Sequence, residues 1–159
     1  SRFNVVNSKV LIDKNNTGTI VDFDKSGTSV GTISITSSNT SYNTSSDYRL
    51  KENVVGITSA ITRLKTLKPS RFNFKIDPSV TVDGFLAHEV TAVPEATTGT
   101  KDQVATADDV TSGIATAVGD PIYQGIDQSK LVPLLTAALQ EAITKIETLE
   151  TKVAALEGG

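Results

Sequence analysis

Three patterns of apolar and polar positions succeed one another along the 159 residues. From residue 1 to 46 the apolar residues come in short β-branched bursts: Val5-Val6, Val10-Leu11-Ile12, Ile20-Val21, Val30, Ile33 and Ile35. Val30-Gly31-Thr32-Ile33-Ser34-Ile35-Thr36 alternates at period two, which predicts strand. Asn15-Asn16-Thr17-Gly18 and Ser26-Gly27 read as turns, and no helical period is present. The bursts are too sparse to fill a core. Such strands gain stability when copies pack around a shared axis or extend a repetitive β-structure. Residues 1–46 are therefore expected to form the end of a fibrous β-stem, with a Ser/Thr linker as the compositional alternative.

From residue 47 to 126 the pattern changes. Val54, Ile57, Ile61, Leu64 and Leu67 are spaced three or four apart, predicting an amphipathic helix over about 52–68, stopped by Pro69. Arg71-Phe72-Asn73-Phe74-Lys75-Ile76 alternates as a strand ended by Asp77-Pro78, and 84–90 reads as a short strand or buried turn. Residues 97–121 show little period and read as a long loop, with at most a weak hairpin.

From residue 127 to 159 a heptad runs unbroken. Val132, Leu139, Ile146 and Val153 hold the a positions, and Leu135, Ala142, Leu149 and Leu156 the d positions. A parallel coiled coil is expected; a helix packed on its own domain is the alternative. Pro133 falls in a tolerant first turn, and Gly158-Gly159 ends the helix.

Composition narrows the function. With no Cys, neither disulfides nor thiolate chemistry are open to the chain, and one His, His88, cannot make a multi-histidine metal site. No cofactor or metal is expected. A net charge of −3 and a pI near 5.1 argue against a nucleic-acid partner. No apolar run is long enough for a membrane span, and no signal-peptide pattern opens the chain. Ser1 in place of an initiator Met suggests a piece of something longer. Of residues 1–46, 23 are Ser, Thr or Asn, which sets the stem apart from residues 47–159.

The chemistry worth weighing lies at the junction Ser45-Ser46-Asp47-Tyr48-Arg49-Leu50-Lys51-Glu52-Asn53. A partly desolvated Lys amine, or one beside another cation, loses its proton more readily and can then activate a Ser hydroxyl. Arg49 could be that cation. A Ser–Lys dyad is the simplest nucleophile–base pair available to this chain, although the spacing alone carries little information.

Ser46-Asp47-Tyr48-Arg49-Leu50-Lys51-Glu52-Asn53-Val54 resembles the opening signature of the endosialidase-type intramolecular chaperone domain of phage tail spikes and tail fibres. A similar self-cleaving domain occurs in the myelin regulatory factor family. The likeness continues through residues 61–69, 71–74, 83–90, 93–95 and 130–135, so it spans 46 to about 157 in order. It implies a homotrimer in which each chaperone domain helps three chains wind into a fibre and then cuts itself off. Carried over, Ser46 is the nucleophile, Lys51 the general base and Ser46–Asp47 the scissile bond. Asp47 and Arg49 match the motif and are expected to shape the turn or tune Lys51.

Other features have plain readings. His88, where the family more often has Gln, reads as a satisfied structural residue. Arg63, Lys65, Lys68 and Arg71 read as a solvated helix face, and Asp108-Asp109 as loop. The Asn-x-Ser/Thr triplets at Asn15, Asn39 and Asn43 are chance matches in a Ser/Thr-rich stretch.

The expected architecture is α+β: a homotrimer with an N-terminal β-stem segment (1–46), a small α+β chaperone domain (47–126) and a C-terminal parallel coiled-coil helix (127–159), the last two forming one unit, 47–159. The expected function is trimerisation and folding of an upstream tail fibre or spike chain, ended by one-turnover serine autoproteolysis. Residues 1–46 would stay with the virion fibre, which alone meets the host surface receptor. The chaperone domain would be made in the host cytoplasm and released. The alternatives are a non-cleaving trimerisation module and a receptor-binding fibre tip with 97–121 as contact loop.

Overall fold

The computed structural model describes residues 12–158, in two compact units that divide between Val55 and Gly56. The bursts at Val5-Val6 and Val10-Leu11 lie outside the described residues.

In the first unit, β1 (Gly18–Lys25), β2 (Thr28–Ile35) and β3 (Thr40–Thr44) form an antiparallel sheet in that order. Ser26 and Gly27 both take positive φ, 52° and 80°, the backbone that a two-residue hairpin requires to match strand twist. Between β2 and β3, the Thr36 hydroxyl accepts from the backbone N–H of Asn39 at 3.0 Å. Alternation did not reveal β3, because Tyr42 is its only apolar residue. Its pairing to β2 is made by backbone and by Asn43, whose amide donates to the hydroxyls of Thr32 and Ser34. No side chain of this sheet is buried; Phe23, Val30 and Tyr42 all face water. A sheet with no covered face lacks the main source of β-stability.

The second unit contains α1 (Ala60–Leu64), β4 (Ser70–Phe74), β5 (Asp77–Gly84), β6 (Thr97–Thr98), α2 (Ala107–Thr111), β7 (Gly125–Ile126) and α3 (Val132–Glu157). β4 and β5 form a hairpin, and β6 pairs with β7. Helices are mixed with strands that all pair antiparallel, which is compatible with an α+β class. The core is small: Ala60, Leu67, Val90, Val93, Ala96, Leu131, Leu134 and Ala138, with Ile61, Leu64 and Phe85 packed around it.

Several expectations need correction. The 52–68 helix is reduced to Ala60–Leu64. Asn53 and Ser59 adopt φ of 53° and 54°, which no right-handed helix accommodates. Val54 and Val55 are exposed rather than part of a buried stripe. The strand at 71–76 ends at Phe74, before Asp77-Pro78, which opens the partner strand β5. The 97–121 loop holds α2, whose start is closed by a reciprocal capping box between Thr106 and Asp109. Asp108-Asp109 is thus a helix first turn. The basic group is not one helix face either. Arg63 donates to the Ala92 carbonyl, Lys68 pairs with Glu89, and Arg71 pairs with Asp83 across the β4–β5 hairpin.

The long C-terminal helix forms where the heptad predicts it, and its first half serves its own domain. Leu134 and Ala138, at c and g positions, are each 2% exposed and help form the core against α1. The large a and d residues, Val132, Leu135, Leu139, Ile146, Leu149, Val153 and Leu156, remain 46–82% exposed in the single chain. The helix therefore has two apolar stripes, one used within the domain and one free of it.

Candidate active site

The motif Ser46–Lys51 lies wholly in the first unit, just beyond β3. Residues Tyr48–Leu50 form a single 3-10 turn, closed by Leu50 N–H to the Asp47 carbonyl and Lys51 N–H to the Tyr48 carbonyl, both 3.1 Å. Five extended residues would separate the ends by roughly 17 Å. The 3-10 turn rises only about 2 Å per residue, so residues on either side of it come within side-chain reach. Lys51 Nζ donates to Ser46 Oγ at 2.8 Å.

Asp47 is the N-cap of that turn. Its carboxylate accepts from the Arg49 backbone N–H at 2.8 Å, from Arg49 Nε at 2.9 Å and from Arg49 Nη2 at 2.8 Å. The guanidinium, then the backbone donor, hold the Asp47 carboxyl below the ordinary aspartate value, and the carboxylate raises the Arg49 guanidinium above its own. Arg49 is therefore not a free cation beside Lys51, as the sequence suggested: its charge is matched by Asp47.

Ser46 and Lys51 are both exposed in the single chain, and so are their apolar neighbours Tyr48, Leu50, Val54 and Val55. An amine must shed its own proton before it can accept one, and removal of water favours the neutral form. In the single chain the Lys51–Ser46 contact is open to water.

The other candidate does not assemble. His88 is exposed, and its neighbour Glu89 is engaged by Lys68 at 2.9 Å. Among the described residues no cluster of three or more His, Asp or Glu side chains could hold a metal ion. No described helix is long and apolar enough to cross a membrane.

Comparison with curated proteins returns no match. Residues 46–98 match the model of a family classed by name as a peptidase and described as chaperone of endosialidase. The matched stretch begins at the serine that meets Lys51, and runs through α1, the β4–β5 hairpin and the buried Val90, Val93 and Ala96. Over this stretch the chain is similar to the chaperone-of-endosialidase family.

Proposed function

We propose that this chain is the C-terminal folding aid of a phage tail fibre or tail spike, which trimerises its chains and then releases itself by cutting the Ser46–Asp47 bond. The observation that carries the reading is the 2.8 Å hydrogen bond from Lys51 Nζ to Ser46 Oγ at the first residue of the family match. Net hydrolysis consumes one water and leaves a carboxylate on Ser46 and an α-ammonium on Asp47.

A Ser hydroxyl attacking its own carbonyl would form a strained four-membered ring. The nucleophile is instead a water activated by the Ser46–Lys51 pair, or the Ser46 hydroxyl of an adjacent chain. In the second route that oxygen adds to the carbonyl carbon and its proton passes to a lysine amine. The tetrahedral adduct then expels the α-nitrogen of Asp47, which takes up the proton. The resulting ester is hydrolysed by water. Either way the cut leaves Ser46 on one product and Lys51 on the other, so each dyad acts once.

Assembly and cutting are coupled through exposure. A second chain covering Tyr48, Leu50, Val54 and Val55 would exclude water from the Ser46–Lys51 contact. The free a/d stripe of α3 supplies the contact that gathers the chains, as a parallel coiled coil. Holding the C-termini together raises the effective concentration of the partners, which offsets the slow non-local pairing of an intertwined β-stem. Cutting then makes unwinding kinetically hard. Residues 1–46 stay with the virion fibre, and the remainder leaves.

The test is intact mass of the purified chain beside Ser46→Ala and Lys51→Ala. Two fragments meeting at Ser46–Asp47 in the parent, with both variants whole, are expected. A parent that is trimeric, folded and uncut would sink the peptidase reading and leave a structural trimerisation module. N-terminal sequencing separates a cut before Asp47 from one before Ser46.

A further inference from the structure

We propose that Asp47 is a positioning residue for the Ser46–Lys51 pair: its carboxylate caps the 3-10 turn and so keeps the Lys51 amine against the Ser46 hydroxyl. The inference rests on the dyad reading above and adds a residue to it.

A lone 3-10 turn is marginal, because two backbone bonds must offset the ordering of its residues. Here no burial helps, since the Tyr48 and Leu50 side chains are 81% and 70% exposed. The strongest local restraint is the Asp47 carboxylate. Oδ1 accepts from both the Arg49 backbone N–H and Nε, and Oδ2 accepts from Nη2. The first of these bonds caps the turn. The other two anchor the carboxylate to a side chain that projects from the same turn. If the turn opens, residues 46 and 51 move apart along an extended backbone and the 2.8 Å contact is lost.

The two roles of Asp47 are separable. The cap needs only a short side-chain acceptor, which Asn and Ser also provide. The ion pair needs charge, but it is exposed, and exposed pairs contribute little. The cap is therefore the part that matters for cutting, and Arg49 is secondary.

The experiment uses the full chain with Asp47→Ala, Asp47→Asn, Asp47→Ser and Arg49→Ala. Cleavage rate is followed by intact mass. Hydrogen exchange of the 46–55 segment is measured in parallel in the Ser46→Ala background, where every variant stays whole. Asp47→Ala is expected to slow cutting about fivefold, the usual effect of a lost cap. Its exchange in the turn should rise by a similar factor while the melting temperature of the whole chain is unchanged. Asp47→Asn, Asp47→Ser and Arg49→Ala should stay within about threefold of the parent. Rescue by Asn and Ser is the readout that a change of the residue beside the scissile bond would not by itself produce. Cutting by Asp47→Ala at the parental rate overturns the proposal. Equal slowing by Ala, Asn and Ser overturns it too, because charge rather than capping would then be at work. If the parent itself is never cut, the dyad reading has failed. The cap is then judged by exchange alone: faster exchange in Asp47→Ala than in Asp47→Asn sustains it, and equal exchange overturns it.

Discussion

Leu134 and Leu149 sit on the same helix, α3, and should fail in different ways when truncated to Ala. Leu134 is 2% exposed and packs within the core formed with α1. Removing it leaves a cavity, at a cost of about 3 kcal/mol. For a unit of this size that lowers the melting temperature by on the order of 15 °C, whatever the protein concentration. Leu149 is a d residue, 59% exposed in the single chain. Full burial of a leucine contributes about 2.5 kcal/mol, so covering the exposed part contributes about 1.5 kcal/mol per chain. In the proposed trimer, three chains then lose about 4.5 kcal/mol, roughly three decades in its dissociation constant. Leu149→Ala should therefore leave the folded unit intact but make both assembly and melting temperature strongly concentration-dependent. The assay is sedimentation velocity across a dilution series, with helix melting followed by circular dichroism, both in the uncut Ser46→Ala background. A Leu134→Ala defect that disappears on concentrating the protein would refute the division of α3 into two stripes. So would a Leu149→Ala chain that melts lower by the same amount at every concentration.

Two smaller predictions concern single residues. Glu141 on α3 accepts from the backbone N–H groups of Ala60 and Ile61 at 2.7 and 3.0 Å, capping α1 where Ser59 makes no side-chain cap. Those bonds, chiefly that from Ile61, hold the Glu141 carboxyl below its ordinary value. The stabilisation is therefore present above the ordinary glutamate range and lost as pH falls through the depressed folded value. Glu141→Gln should flatten the acid limb of a pH-stability curve measured by urea unfolding, and an unchanged limb would count against the cap. Gly27→Ala should destabilise the β1–β2 hairpin by about 1 kcal/mol through backbone alone, because no atom lies within 4 Å of the added Cβ but φ is +80°. Hydrogen exchange across β1 and β2 would register this as faster opening.

What the amino-acid order determined by itself was whatever depends on neighbours in sequence. The Ser26-Gly27 turn, the alternation of β4 and the length of α3 are local, because backbone preference and a repeating apolar spacing decide them. The signature that drew attention to Ser46 and Lys51 was equally local, and the two side chains meet at 2.8 Å. Tertiary structure decided the rest. The stripe from Val54 to Leu67 fits a helix, yet only Ala60–Leu64 forms one, since the chain turns left-handed at Asn53 and Ser59 and a carboxylate some eighty residues away caps its start. The heptad showed one face of α3. The second, Leu134 and Ala138, appeared only when the helix met its own domain, because a stripe of apolar residues says that something will cover it but not what. The role of Asp47 was hidden for a similar reason: a carboxylate beside a turn has several potential donors, and only the folded geometry selects the Arg49 backbone and guanidinium.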